Sequence, residues 1–268
     1  MELELRGKKA LVTGSSMGIG LATANTLARE GASVVVHGLD QELVAQAVDR
    51  ITASGGTASG VTADISTDEG ADSLATGAQT AFGGIDILVN NAGILTPAAW
   101  MDAAPAMWTQ LYDVNVVGAV RLIQRLAPAM CDAGWGRIIQ VSSTEAGSPF
   151  AVFPHYAATK AALVNLSVSL AKDLARTGVT VNTVTPGIIH TEGVEGFYRG
   201  VAQQRGWGDD WEAIEQNALH EFLDNPVGRF GTVEEVADVI AFLASPRAAF
   251  VNGANVRIDG GGAGSVNP

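Results

Sequence analysis

The sequence of 268 residues lacks the features that mark several protein classes. It has one cysteine, Cys131, which excludes an internal disulfide scaffold. Its apolar runs are shorter than the roughly 18 residues of a membrane span, and its acidic start lacks the basic-then-apolar order of a signal peptide. Basic residues are few, 16 against 28 acidic, and a net charge of −12 disfavours nucleic acid and anionic membranes as partners. These absences predict a cytoplasmic protein.

Glycine and apolar residues are what the chain has in plenty. The 32 glycines exceed the usual share of about 7%, and 47% of the residues are hydrophobic. Such a chain can bury a sizeable core. The excess of glycine therefore indicates either a loose chain or a backbone that must come very close to another molecule.

Short apolar runs alternate with longer amphipathic segments. The predicted strands lie at 10–13, 33–37, 85–90, 137–142, 179–185 and 255–258, with a further strand ending at 61–64. The predicted helices lie at 18–30, 41–53, 67–82, 106–131, 156–176 and 233–243. Strands that are apolar throughout, alternating with helices, predict a single doubly wound, Rossmann-like α/β domain over residues 1–268.

One irregular zone interrupts this alternation at residues 192–225. It begins with several glycines, which suggest a hinge, and continues as a helix-like stretch over 210–223. An insertion after the carboxyl end of a strand is typical of a helical lid over a ligand, although a surface helix packed for stability is the alternative.

A glycine-rich turn joins the first strand to the first helix. Gly14 permits a tight turn, Gly18 permits close approach of a pyrophosphate to the helix N-terminus, and Gly20 permits close packing of helix on strand. The spacing G-x-x-x-G-x-G differs from the common G-x-G-x-x-G fingerprint. Its place after the first strand of an alternating pattern favours nucleotide binding.

Further motifs follow at the ends of later strands. They are, in chain order, Asn90-Asn91-Ala92-Gly93, Asn115 within a long helix, Ser143, Tyr156-Ala157-Ala158-Thr159-Lys160, Pro186-Gly187-Ile188-Ile189-His190-Thr191 and Asp259-Gly260-Gly261. Together with the glycine turn, this ordered set resembles the classical short-chain dehydrogenase/reductase family over nearly the whole chain. The resemblance implies a mostly parallel seven-stranded sheet in the order 3-2-1-4-5-6-7 with helices on both faces. It also implies hydride transfer between a nicotinamide cofactor and a secondary alcohol or ketone.

The expected catalytic residues are Asn115, Ser143, Tyr156 and Lys160. Tyr156 and Lys160 are four apart on a predicted helix, so both project from one face, and the ammonium should lower the pKa of the phenol. Tyr156 would then act as general acid or base, with Ser143 holding the substrate oxygen. The resemblance implies that Lys160 also holds the nicotinamide ribose and that Asn115 fixes a water; a purely structural role for the Asn115 amide is compatible with this.

The resemblance also implies the cofactor contacts. They are Gly14, Ser16, Met17, Gly18, Ile19, Gly20, Leu39, Asp64, Ile65, Asn91, Ala92, Gly93, Tyr156, Lys160, Pro186, Gly187, Ile189 and Thr191. Among these, Asp64 would meet the adenine, and Ile189 and Thr191 the nicotinamide carboxamide.

The choice between NAD and NADP falls at the end of the second strand. An acidic residue there binds the ribose 2′-hydroxyl of NAD, whereas a basic one accepts the 2′-phosphate of NADP. Gly38 and Leu39 stand in those places, so neither marker is present. Asp40 would repel a phosphate, which favours NAD, but a protonated His37 would accept one and leaves NADP open.

The substrate pocket is expected to include Ser143, Glu145, His155, Phe197 and Trp207. The histidines do not form metal-binding pairs, so we expect no catalytic metal. A small neutral alcohol or ketone is the preferred substrate, because the acidic, aromatic lid suits an anionic acyl carrier poorly.

Other functions stay open. A 3-oxoacyl-carrier reductase or a hydroxyacyl dehydrogenase of the same family is one alternative, and a non-catalytic nucleotide-binding regulatory protein is another. The family resemblance further implies a homotetramer that pairs the two long helices.

Overall fold

A computed structural model describes residues 2–264, so Met1 and residues 265–268 of the predicted domain lie outside it. Seven parallel strands form one sheet in the predicted order, β3-β2-β1-β4-β5-β6-β7. The strands are β1 Lys9–Val12, β2 Ser33–Gly38, β3 Thr57–Thr62, β4 Ile87–Asn90, β5 Gly136–Val141, β6 Val179–Pro186 and β7 Asn255–Ile258. The α-helices are α1 Gly18–Arg29, α2 Gln41–Ala53, α3 Asp68–Phe82, α4 Pro105–Tyr112, α5 Gly118–Asp132, α6 Pro154–Asp173, α7 Glu192–Arg205, α8 Trp211–Ala218 and α9 Val233–Ala244.

Helices cover both faces of the sheet, which confirms the doubly wound prediction. Successive residues of a strand point to opposite faces, so Val34 and Val36 of β2 join one core while Val35 joins the other. The first core packs under α1, α2 and α9, and the second under α3 and α5. Burial on both faces explains why the central strands are apolar throughout. None of the helices in the described range is long and apolar enough to cross a bilayer.

Most elements differ from the predicted bounds by a few residues, and three of the differences are described here. β3, a partly buried edge strand, ends at Thr62 rather than at Asp64. The predicted helix over 106–131 is interrupted by a π-helical turn at Asp113–Val117. α6 begins at Pro154, since proline has no N–H to leave unpaired in a first helical turn.

The predicted glycine hinge does not exist in that form. Gly193, Gly196 and Gly200 lie inside α7, whose first turn is capped by the Thr191 side chain. Only Gly206, which ends α7, and Gly208 have the left-handed backbone that favours glycine. We call residues 192–223 the α7–α8 segment.

The strand order places the candidate site. β1 lies between β2 and β4, so the crossovers leave β1 and β4 in opposite directions, and a crevice opens at their carboxyl ends. The chain leaves β1, β4, β5 and β6 at this same edge of the sheet. All the predicted catalytic and cofactor segments therefore meet there.

Candidate active site

The glycine turn after β1 is a backbone cradle. Gly14 and Gly18 have φ of 60° and 56°, in the left-handed region. A Cβ added to Gly14 would lie 2.9 Å from Ala92 Cα, and one added to Gly20 would collide with the Gly14 carbonyl oxygen. Ser16, Met17 and Ile19 complete the turn and the start of α1. These positions must be glycine for the turn, the first helix and the β4 loop to come together.

The N-terminus of α1 is open to an anion. α2, α3, α7 and α9 each begin with a side chain that accepts hydrogen bonds from the first backbone N–H groups. α1 begins at Met17, whose side chain makes no such bond. Free N–H groups at a helix N-terminus beside a glycine turn form a phosphate site. The geometry thus fits the pyrophosphate of a dinucleotide.

Thr13 and Asn91 hold the two loops of the cradle together. The buried Thr13 hydroxyl accepts hydrogen bonds from the backbone N–H groups of Asn91, at 3.0 Å, and Ala92, at 2.9 Å. The Asn91 amide in turn donates to the carbonyl oxygens of Thr13, at 2.9 Å, and Gly14, at 3.0 Å. The sequence analysis did not single out Thr13; a hydroxyl directly after an apolar strand was the available signal.

His37 has a different role from the one considered in the sequence analysis. Its ring is buried, Nδ1 accepts the Gly14 backbone N–H at 3.2 Å, and Nε2 lies 3.0 Å from the Ala63 carbonyl oxygen. Burial lowers the pKa of this imidazole and keeps it neutral. With both nitrogens taken, His37 cannot pair with a 2′-phosphate; it ties the glycine turn to the end of β3.

The segments that follow β2 and β3 lie side by side at the sheet edge. Leu39 is exposed, whereas the Asp40 carboxylate accepts the backbone N–H groups of Glu42, at 2.8 Å, and Leu43, at 3.0 Å. Asp64 accepts the Ser66 backbone N–H at 2.9 Å, which lowers the pKa of its carboxyl, and Ile65 is buried. The negative charge of Asp40 thus occupies the N-terminus of α2.

The segment after β6 closes the opposite side of the cleft. Gly187 donates its backbone N–H to the Ile258 carbonyl oxygen at 2.8 Å, next to Pro186 at the end of β6. Ile189 is buried. A Cβ added to Gly18 would lie 3.7 Å from Thr191 Cγ2, so the β6 segment faces the glycine turn.

Tyr156 and Lys160 lie deep in the site on the first turns of α6. Lys160 Nζ lies 5.5 Å from the centroid of the Tyr156 ring and donates to the Val141 carbonyl oxygen at 2.9 Å. Ser143, two residues after the end of β5, lies close enough to Tyr156 to lower the pKa of its phenol. The structure therefore brings the predicted Ser143, Tyr156 and Lys160 together.

The expected lowering of the Tyr156 pKa is wrong for the protein alone. Burial raises the pKa of Tyr156 to about 12, a hydrogen bond from Ser143 opposes this rise, and the nearby Glu145 charge adds to it. Lys160 is itself fully buried in this site, and burial lowers its pKa to about 8. Removal of both groups from water outweighs the attraction between ammonium and phenolate.

Asn115 lies in the π-helical turn and anchors the loop after β4. Its Oδ1 accepts the Ile94 backbone N–H at 2.8 Å, while Nδ2 donates to the Ile94 carbonyl oxygen at 3.0 Å and to Thr159 Oγ1 at 3.1 Å. A Cβ added to Gly93 would lie 3.3 Å from Asn115 Oδ1 and 3.4 Å from Lys160 Nζ. Asn115 thus lies at the site with Ser143, Tyr156 and Lys160 and has a structural role there. Its role in binding a water stays a prediction.

The predicted substrate-pocket residues fall into two groups. Glu145 is buried beside Ser143 and Tyr156, and its Oε2 accepts the Phe150 backbone N–H at 2.8 Å. His155 is fully buried in the first turn of α6, with its ring 5.7 Å from that of Trp108.

The other two lie in the α7–α8 segment. Phe197 is exposed and packs edge-on against Tyr198, and the partly buried Trp207 lies 6.2 Å from the Phe222 ring. Their part in substrate binding stays a prediction.

Comparison with known proteins finds short chain dehydrogenases and reductases. The family model for short chain dehydrogenases matches residues 8–200. A D-beta-hydroxybutyrate dehydrogenase of Cupriavidus necator is 36% identical, over 96% of this chain and 98% of its own. L-sorbose reductase of Gluconobacter frateurii, complexed with NADPH and L-sorbose, superposes with a TM-score of 0.94 at 35% identity, over 99% of this chain and 100% of its own.

A third similar protein is a 3-oxoacyl (acyl-carrier-protein) reductase of Agrobacterium tumefaciens with NADP bound. It superposes with a TM-score of 0.87 at 35% identity, covering 97% of this chain and 96% of its own. The two solved structures share the fold of this chain, and the names of the three proteins refer to different compounds.

Proposed function

Because the chain belongs to the short-chain dehydrogenase family, we propose that it interconverts a secondary alcohol and a ketone with a nicotinamide cofactor and Tyr156 as general acid/base. The observation that carries this proposal is the meeting of Tyr156, Lys160 and Ser143 at the cleft beside the glycine cradle. A non-catalytic sensor would need the cradle but not this group. The intact group therefore favours an enzyme over the regulatory alternative.

Each catalytic side chain has a defined task. Tyr156 gives a proton to the oxygen of the ketone on reduction, or takes one from the alcohol on oxidation. Ser143 hydrogen-bonds the same oxygen and keeps it beside Tyr156. Lys160 stabilises the phenolate of Tyr156 by its charge, and Asn115 keeps the Gly93 and Ile94 backbone in place at the cleft.

The cofactor-binding residues follow from the cradle. Gly14, Gly18 and Gly20 admit the pyrophosphate onto the N-terminus of α1, and Asn91 to Gly93 form the wall between the halves of the sheet. The proposal keeps the remaining predicted cofactor contacts: Ser16, Met17, Ile19, Leu39, Asp64, Ile65, Pro186, Gly187, Ile189 and Thr191. When bound, the nicotinamide supplies or accepts the hydride.

Removal of the Tyr156 hydroxyl tests the catalytic claim. Tyr156→Phe should lower kcat by about 10²- to 10⁴-fold, the usual contribution of a positioned acid/base. Cofactor binding should persist, as measured by quenching of reduced nicotinamide fluorescence. Turnover at the wild-type rate would contradict the proposed role, and a folded protein with cofactor affinity but no turnover of any alcohol or ketone would favour the regulatory alternative.

We propose NAD rather than NADP as the cofactor. The ribose 2′ position of a bound dinucleotide is expected near the end of β2. The N-terminus of α2 would attract a 2′-phosphate, but the Asp40 carboxylate already accepts its backbone N–H groups. Both ring nitrogens of His37 are engaged, so this residue is unable to bind the phosphate. The two solved relatives with NADPH or NADP bound argue for the opposite choice, so the question needs a direct test.

The cofactors can be compared as thermal stabilisers, because a ligand that binds the native state raises its stability. NADH should raise Tm at concentrations where NADPH does not. Asp40→Ser, which keeps a helix cap but removes the charge, should improve binding of NADPH. Tighter binding of NADPH to the wild-type protein would overturn the choice of NAD.

For the substrate, we propose a small neutral ketone or alcohol. The family relatives include enzymes named for sorbose, hydroxybutyrate and 3-oxoacyl chains, so the relatives alone leave the class open. A 3-oxoacyl or hydroxyacyl substrate is the alternative. The aromatic rings of the α7–α8 segment, of which Phe197 and Phe222 are exposed, support a compact substrate enclosed by a lid.

A further inference from the structure

Glu145 is a buried carboxylate at the reacting end of the site. It lies two residues after Ser143, and only 8% of its surface is exposed. Its charge is near enough to Tyr156 to raise the pKa of that phenol. A carboxylate beside Tyr156 disfavours formation of the phenolate, and burial of its charge is unfavourable as well.

The Glu145 carboxylate has one hydrogen bond to another residue in the described part of the chain. One oxygen, Oε2, accepts the Phe150 backbone N–H at 2.8 Å. Burial raises the pKa of this carboxyl, and the Phe150 bond is the contact that opposes the rise. The salt bridges found within residues 2–264 do not include Glu145. A buried carboxylate can accept several hydrogen bonds, so Glu145 retains capacity for a donor.

The segments around the site are richer in acidic than in basic side chains, and their basic side chains are His155 and His190. Residues 91–103, 143–155 and 186–198, which follow β4, β5 and β6, contain no lysine or arginine, but they include Asp102, Glu145, Glu192 and Glu195. A carboxylate, thioester-linked phosphate or acyl-carrier substrate would lack a cationic partner in these segments. A neutral substrate that brings its own hydroxyl donors matches this charge.

We infer that Glu145 is a specificity-determining residue that accepts a hydrogen bond from a hydroxyl group next to the reacting carbonyl, which makes neutral α-hydroxyketones and vicinal diols the substrate class. The inference rests on the proposed function and narrows its substrate. A carboxylate accepts and does not donate, so it favours a hydroxyl and gains nothing from a methyl or a ketone oxygen in the same place. It also repels an anionic substituent there.

The test uses two ketones of similar size and reads the ratio of their kcat/KM values. 2-Hydroxycyclohexanone carries the adjacent hydroxyl, and 2-methylcyclohexanone replaces it with a methyl. Wild-type protein with NADH or NADPH should favour the hydroxyketone by about tenfold or more. Glu145→Gln should remove most of that preference. The ratio of the two kcat/KM values is the readout, because any change in the Tyr156 pKa on loss of the Glu145 charge affects both ketones alike.

The glutamine variant separates recognition from loop support, because its amide oxygen can still accept the Phe150 N–H. Glu145→Asp keeps the charge on a shorter side chain and should restore part of the preference. Glu212→Gln removes an exposed carboxylate from α8 and should leave the ratio unchanged. If Glu145→Gln fails to fold, competitive inhibition of the wild-type protein by 1,2-cyclohexanediol and by cyclohexanol gives the same comparison, with the diol expected to bind more tightly.

The outcomes are distinct. No preference in the wild-type protein, or an equal loss for both ketones in Glu145→Gln, would overturn the role of Glu145 and leave the proposed function standing. Faster turnover of acetoacetate than of either neutral ketone would overturn the substrate class. Absence of turnover with every ketone and both cofactors would remove the proposed function, and this inference with it.

Discussion

The cofactor side and the substrate side of the cleft are built in different ways. On the cofactor side, the glycine turn and the loop after β4 meet through backbone atoms, and a single added Cβ would meet carbonyl oxygen or Cα at Gly14 and Gly20. On the substrate side, Cβ atoms added to Gly193, Gly196 and Gly200 would meet nothing within 4 Å. Large apolar side chains are exposed in the segments after β4 and β5 and in the α7–α8 segment: Leu95, Trp100, Met101, Phe150, Val152, Phe197 and Phe222.

The difference teaches where the sequence is constrained. A dinucleotide is the same molecule for many enzymes, so a backbone of fixed shape can bind it. Few side chains are acceptable at the glycine positions that give the backbone this shape. The substrate side uses side chains on short helices and loops, which can change without disturbing the sheet. Substitutions on the two sides should therefore differ in size and even in sign.

Gly20→Ala should give the largest effect of the substitutions that test this contrast. The new methyl would meet the Gly14 carbonyl oxygen and the Asn91 amide, both of which belong to the cradle. Because the clash is with backbone, overpacking should cost about 3 kcal/mol or more of unfolding free energy and weaken cofactor binding. Chemical denaturation and NADH titration measure both, and a variant with wild-type affinity would show that the cradle is more pliable than its contacts indicate.

His37→Leu should have a smaller effect that depends on pH. The substitution leaves the Gly14 N–H and the Ala63 carbonyl without a partner, which should cost about 1–3 kcal/mol near pH 8. Burial lowers the pKa of His37 in the folded state, so the unfolded chain takes up the proton first, and wild-type stability should fall as pH drops below about 6.5.

Thermal unfolding between pH 8 and pH 5 checks this prediction. The part of the pH dependence that belongs to His37 should disappear in the leucine variant. His37→Gln is the matched control, because its amide can still donate and accept but does not titrate in this range. An unchanged pH dependence in both variants would show that protonation of His37 does not affect stability.

Much of this architecture could be predicted from the sequence, because it depends on local patterns. Alternating apolar strands and amphipathic helices specify a doubly wound sheet, and the ordered motifs at strand ends specify which segments meet. The cradle was predictable for the same reason, since Gly14, Gly18 and Gly20 are required by backbone geometry that depends little on the rest of the chain.

The features that the sequence did not reveal depend on three-dimensional surroundings. The direction of the Tyr156 pKa follows from burial, which spacing along a helix cannot report. His37 could be read as a phosphate ligand until its two nitrogens were seen to be occupied. Likewise, the sequence identifies Asn115 only as a polar residue in an apolar helix. The fold shows that it lies in a π-helical turn and hydrogen-bonds the backbone N–H and carbonyl oxygen of Ile94.

Gly196→Ala should give the smallest effect, and one of the opposite sign. Gly196 lies in α7 with open space around it and ordinary helical backbone, so a methyl relieves the entropic cost of glycine without a clash. The variant should gain about 0.5–1 kcal/mol of stability in this helix. Because α7 packs mainly on its own small core with α8, the gain should appear as slower local hydrogen exchange in α7 rather than as a large rise in global Tm. A loss of stability would contradict this prediction. A fall in kcat with NADH binding unchanged would show that Gly196 is needed for motion of the α7–α8 segment, as a hinge would be.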